Sequence, residues 1–155
     1  MFQAIIFTSR HAVAALTDVF RHVSLRSLPV YAVGRNTALA ARHAGFEQVT
    51  SGPGDGKGLL TLMTANLRQD AGKILWPRAS KISFDIASHL IRFGFSVQQI
   101  PVYTMTPTAS NDANLSARLN ACSSAAVVAM SARSMALFSQ GYEESEWPRV
   151  PQRWY

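Results

Sequence analysis

Ala4-Ile5-Ile6-Phe7-Thr8-Ser9-Arg10-His11-Ala12-Val13-Ala14-Ala15-Leu16 reads as a strand, a turn and the start of a helix. Residues 4–7 form a continuous apolar strand. From residue 11 to residue 20 the apolar positions change to helical spacing, with Val13, Leu16 and Phe20 on one face. A β-run that hands over to a helix-period run in this way is one βα unit, and the chain continues in the same manner.

Residues 29–33 are a second strand and residues 37–44 a second helix closed by Gly45. Residues 46–50 are a third strand, and residues 57–67 a helix with Leu59, Leu60, Met63 and Leu67 on one side. Residues 73–76 give a fourth strand. Residues 82–93 give a fourth helix, whose stripe is Ile82, Ile86, Leu90 and Phe93 and which Gly94 closes. Residues 97–103 are a fifth strand. This βαβαβαβαβ pattern predicts an α/β fold with a five-stranded parallel, doubly wound sheet in flavodoxin-like order. In such sheets the ligand crevice lies beyond the carboxyl ends of the strands. The residues expected there are Thr8-Ser9-Arg10, Gly34-Arg35-Asn36-Thr37, Ser51-Gly52 and Pro77-Arg78.

Residues 1–103 thus make one complete α/β domain. Residues 104–114, with Met-Thr-Pro-Thr-Ala-Ser-Asn-Asp, read as a linker. Residues 115–155 read as the start of a second α/β domain, with a helix at 115–120, a strand at 125–130 and a helix from Ser134. Residues 4–16 align without gaps to residues 126–138, both apolar strand, Ser, basic turn and small-apolar helix. The offset is far longer than a solenoid period, so it implies two similar domains in tandem. A strand at 127–130 without its sheet partners is a hazard for association, and self-association through the incomplete second domain, or disorder of that segment, is expected.

Composition narrows the class. The chain has 155 residues, 48% hydrophobic and 15% charged, enough apolar content for a folded core. Its single cysteine, Cys122, reads as a small buried hydrophobe. The first residues lack a basic n-region, and no apolar run approaches the ~20 residues of a membrane span. The expected location is therefore cytoplasmic, with no membrane partner. The net charge is +6. Residues 1–106 hold eleven Lys/Arg and five Asp/Glu, while residues 107–155 hold four of each, so the excess lies in the first part. That balance favours an anionic ligand. Without a Lys/Arg run or an aromatic-interleaved basic strand, nucleic acid is not expected as a partner.

No metal, nucleotide or hydrolase motif stands out. Gly52-Pro53-Gly54-Asp55-Gly56-Lys57-Gly58 sits where a phosphate loop would. Ser51 occupies the first glycine position, however, and Gly58 follows Lys57 where a Ser or Thr is needed. It reads as a flexible turn into a helix. His11, His22, His43 and His89 lack metal-ligand spacing and read as helix-surface or packing residues. The strand ends hold Thr, Ser, Gly, Asn and Arg, a set suited to carboxylates or phosphates. Ser9 and Asn36 are equally readable as helix N-caps.

The same residues resemble the uroporphyrinogen-III synthase family. Phe7-Thr8-Ser9-Arg10-His11-Ala12-Val13 is similar to its strand, Thr-Ser and Ala-Val helix segment. The run from Val33-Gly34 through Thr37-Ala38 to Gly45 resembles its Val-Gly, Thr-Ala, Gly unit. Leu75-Trp76-Pro77-Arg78-Ala79 and the run from Gly94 to Val102-Tyr103 resemble its Arg strand and its closing strand. Val128-Ala129-Met130-Ser131 resembles its later strand-Ser turn, with Met130 where Thr or Ser is commoner. The resemblance implies two α/β domains with a cleft between them. It further implies cyclisation of hydroxymethylbilane, a linear tetrapyrrole with eight carboxylates, with loss of water and inversion of the last pyrrole ring. The reaction takes no cofactor. By the same resemblance Tyr103 helps the hydroxyl leave, and Thr8, Ser9, Gly34, Thr37, Arg78 and Ser131 line the rim near the carboxylates. Arg10 joins them as a basic group of the first turn. Family members carry a further N-terminal segment and further βα units, so the chain is expected to be truncated at both ends, with its activity in question. The competing expectation is a non-catalytic anion-binding or regulatory α/β module.

Overall fold

A computed structural model describes residues 1–19, 25–106, 121–122, 128 and 132–143. The element order is β1 (Phe2–Phe7), α1 (Arg10–Val19), β2 (Val30–Ala32), α2 (Arg35–His43), β3 (Val49–Ser51), α3 (Gly56–Asn66), β4 (Lys73–Ala79), α4 (Ile86–Arg92), β5 (Val97–Tyr103) and α5 (Ala132–Glu143). The chain divides between Met105 and Thr106 into two compact units, the first holding the whole sheet. The strand expected at 125–130, apart from Val128, lies outside the described residues. So do the helix expected at 115–120 and the linker residues 107–114.

All four strand pairings are parallel. The order is β3-β2-β1-β4-β5. A flavodoxin-like order would seat β3 beside β1, and here β4 takes that place. The burial of the strands accounts for the correction. Residues 74–77 of β4 are all buried, as a central strand with helices on both faces requires. In β3, Val49 is half-buried and Thr50 and Ser51 are exposed, so it fits only an edge. On the opposite edge β5 carries the exposed Pro101, which has no ladder donor to leave unpaired.

Strand direction sets the layers. From β1 the chain moves outward through β2 to β3, then returns to build β4 and β5 on the other side. With right-handed crossovers the first two helices cover one face and the next two the other. Alternate residues serve each face. Ile5, Phe7 and Leu75 pack with Val13, Leu16, Ala41 and Phe46 beneath α1 and α2. Ala4, Ile6, Ile74 and Trp76 pack with Leu59, Met63, Ile86 and Leu90 beneath α3 and α4.

Two of the boundaries that differ from the sequence pattern bear on the core. β3 begins at Val49 rather than at residue 46, because Phe46 is drawn from the strand into the core, edge-on to Phe7 at 5.4 Å. α4 begins at Ile86, where Asp85 caps it by accepting from the Ser88 backbone N–H at 3.1 Å. Ile82 therefore precedes the helix and is exposed, as is Phe93 at its other end, and Ala87 joins Ile86 and Leu90 in the buried stripe. Phe84, just before the helix, packs half-buried against the core beneath α3 and α4.

Candidate functional site

The order of strands reverses between β1 and β4, and this is the point where open α/β sheets bind ligands. Thr8 ends β1 there. Its hydroxyl accepts a hydrogen bond from the Trp76 indole N–H at 3.4 Å, which ties the two central strands at their carboxyl edge. A Thr hydroxyl has a second lone pair and its own proton for a ligand. Ser9 caps α1: its Oγ accepts from the His11 backbone N–H at 3.0 Å. Arg10 is the exposed first residue of that helix.

At the end of β4 the strand runs on through Arg78 to Ala79, further than the expected stop at Trp76. Pairing with β1 has ended at Leu75, so Pro77 interrupts no ladder on that side, while pairing with β5 continues. Arg78 is held by its own surroundings. Its Nε donates to Gln99 Oε1 at 2.9 Å, and its Nη1 donates to the Ala79 and Ser80 carbonyls at 2.7 and 3.1 Å. The guanidinium carbon stands 5.9 Å from the centre of the Trp76 ring. Three of the five N–H donors are spent in this way, which leaves the Nη2 amino group for a ligand. Asp85 lies nearby in the electrostatic sense. The Ser88 hydroxyl and then the Ser88 backbone N–H hold its carboxyl below the usual range, and Arg78 adds a smaller effect.

Tyr103 is the last residue of β5 and is half-buried. Its carbonyl accepts from the Ser80 backbone N–H at 2.9 Å, and Ser80 Oγ lies 2.7 Å from Thr104 Oγ1. The Tyr103 ring is flanked by the His11 imidazole, with centroids 5.8 Å apart and a tilt of 46°. Sequence reasoning assigned His11 to an anonymous helix surface. The available signal was its position in the first turn after β1, on the same edge as the end of β5. Ser80 and Gln99 were missed as well, since neither residue type marks a site until the strands are paired.

The turns after β2 and β3 behave differently. Gly34 is the N-cap of α2 and makes no side-chain cap, so Asn36, expected as a cap, lies inside the first turn. Thr37 in that turn is only 7% exposed. Gly34 is extended, a conformation open to any residue. What it supplies is closeness, because a Cβ there would stand 3.1 Å from the Gly54 Cα. The expected flexible turn at 52–58 is instead packed. The Gly52 and Gly54 N–H groups donate to the Ala32 and Val33 carbonyls at 2.7 and 2.8 Å. Asp55 caps α3 by accepting from the Gly58 N–H at 2.8 Å. That carboxylate already takes one of the N–H donors that a phosphate at this helix end would use.

The structure therefore brings Thr8, Ser9, Arg10, Arg78 and Tyr103 to one edge of the sheet, with Gly34 and Thr37 at the neighbouring strand end. Ser131 lies outside the described residues. Among the described residues no three His, Cys, Asp or Glu side chains are grouped to hold a metal ion, and no helix is long and apolar enough to cross a membrane.

Comparison with known proteins returns the same family that the strand-end residues resemble. No curated protein sequence matches the chain. A solved structure of uroporphyrinogen-III synthetase from Helicobacter pylori shares the fold, with a TM-score of 0.53 and 24% identity over 74% of this chain. The chain spans about half of that protein, 52% of its length. The family model described as uroporphyrinogen-III synthase HemD matches residues 1–151, and on that match the chain belongs to the uroporphyrinogen-III synthase family.

Proposed function

We propose that this chain serves tetrapyrrole biosynthesis as a uroporphyrinogen-III synthase, with hydroxymethylbilane as its substrate. The family match over residues 1–151 carries the reading. The edge chemistry agrees with it. Hydroxyls at Thr8 and Ser9, the remaining donors of Arg78, the cation of Arg10 and the first turn of α2 form a row of groups for carboxylates. A bilane with eight carboxylates offers many partners to such a row. It ionises readily and closes unaided to the wrong isomer, so the enzyme's task is to impose geometry. Tyr103 is the group we assign to the departing hydroxyl. Its phenol passes a proton to the departing oxygen as the C–O bond of the hydroxymethyl group breaks, so that the oxygen leaves as water, and the pyrrole N–H proton given up by the substrate returns the phenol to its neutral form. Ser80 holds Tyr103 through the backbone, and its half-buried ring packs against the core beneath α1 beside His11.

The test is to incubate the purified chain with hydroxymethylbilane and separate the isomers by chromatography. Type III product in excess of the spontaneous type I product supports the reading, and Tyr103→Phe should lower its rate without weakening binding. Type I product alone, together with no binding of an octacarboxylate porphyrin, overturns it. Porphyrin binding without cyclisation favours the regulatory α/β module instead.

A further inference from the structure

His11 is exposed in the first turn of α1 and flanks the half-buried ring of Tyr103. The charged and titratable groups around it are unevenly distributed. On α1 itself are Arg10 and, seven residues on and about 10 Å along the axis, Asp18. Of the elements packed against α1, β1 carries none, and α2 carries Arg35, Arg42 and His43. β4 carries Lys73 and Arg78, and β5 carries only Tyr103. Lys73, Arg42 and His43 belong to the opposite end of the unit. Near the carboxyl edge the described neighbours are therefore Arg10, Arg35 and Arg78, with Lys81 and Asp85 in the segment after β4. Asp85 is taken up by Ser88, whose backbone N–H and hydroxyl both donate to its carboxylate. Cations outnumber carboxylates among these groups, so a bound anion supplies the counter-charge for a proton on the imidazole.

We propose that His11 is an anion-binding residue of this edge, which takes up a proton from solvent as a polycarboxylate binds and pairs one carboxylate beside Tyr103. The inference rests on the tetrapyrrole reading above and deepens it. Histidine alone among the ordinary side chains changes charge near neutral pH, so the pairing makes affinity pH-dependent where Arg10 and Arg78 cannot. The partner carboxylate is placed next to the phenol that we assign to the departing hydroxyl, which fixes one end of the substrate against that group. His11 is exposed, so its replacement leaves the core intact.

Uroporphyrin, a stable octacarboxylate porphyrin, is the probe. The 155-residue chain is titrated with it calorimetrically between pH 7 and 8 in two buffers of different ionisation enthalpy. We expect uptake of a substantial fraction of one proton per porphyrin, and an affinity that falls with pH by up to about tenfold per unit, the limit for one linked proton. His11→Phe keeps a ring against Tyr103 and should lose both the uptake and the added pH dependence. His11→Lys supplies a permanent charge and should keep the affinity without the uptake. Arg10→Ala should weaken binding and keep the uptake. Unchanged proton uptake in His11→Phe overturns this inference and leaves the tetrapyrrole reading standing. No porphyrin binding at any pH overturns both.

Discussion

Arg78 is a strap for the protein before it is a hand for a ligand. Its bond to Gln99 fastens β4 to β5, and its bonds to the Ala79 and Ser80 carbonyls fix the end of β4 just where the ladder shifts register. Arg78→Ala should therefore lower stability as well as porphyrin affinity, by about 1–2 kcal/mol from lost charge-assisted hydrogen bonds, measured by urea unfolding. Arg78→Lys keeps the charge and loses the fork, and should recover little of that stability. A loss of affinity with no loss of stability would contradict the strap. Arg10, exposed on the helix start, should show the reverse: weaker binding, further weakened by salt, with unchanged unfolding. Asp85 adds a pH effect whose sign follows from its bonds to Ser88. A carboxyl held below its ordinary value stabilises the fold above that value, and the contribution fades as pH falls through the lowered one. The stability gap between the native chain and Asp85→Asn should therefore narrow on acidification from neutral pH toward pH 3. A gap that widens would contradict the assignment.

At the level of elements, two joints decide how α3 and α4 meet the sheet. The first is the cap of α3 by Asp55, and Asp55→Ala should cost about 1 kcal/mol in urea unfolding. The second is the contact of Gly56 with Phe84. A Cβ at Gly56 would overlap the Phe84 ring, which itself stacks on His89 with centroids 5.0 Å apart. Gly56→Ala should destabilise by about 1–3 kcal/mol through overpacking. In the Phe84→Ala background the same change should cost much less, because the obstructing ring is gone. A double-mutant cycle measures the coupling directly, and additive effects would show that the two residues do not meet.

Across the whole sheet, burial grades from the centre to the edges. β1 and β4 lie between two helical layers, and their buried residues make the two core clusters. β3 is a three-residue edge with two exposed side chains. Local opening takes least free energy where few apolar contacts close over the backbone. Amide exchange should therefore be slowest at Ile5, Ile6, Leu75 and Trp76 and fastest among the strands at Thr50 and Ser51. Equal protection of β3 and β1 would contradict the order β3-β2-β1-β4-β5, since a flavodoxin-like sheet would bury β3 in the middle.

The elements of the first 103 residues were legible because each carries its own period. The apolar runs at β1 and β4, the stripe Leu59 and Met63, and the span of β5 needed only local spacing to be read. The carboxyl-edge location of Thr8, Ser9, Arg10 and Arg78 followed from parallel strands alone, while Tyr103 was singled out only by the family resemblance. Spacing could not choose the neighbour of β1, since that choice compares the burial of β3 with that of β4 over the finished sheet. It could not place Phe46 in the core or start α4 at Ile86 behind the Asp85 cap, because a local period is outweighed by packing and by a cap. Nor could it bring His11 to Tyr103, ninety-two residues away in the chain, or show that Arg78 is bound to Gln99. The first pairing arises only when α1 packs on the sheet beside β5, and the second only when β4 pairs with β5.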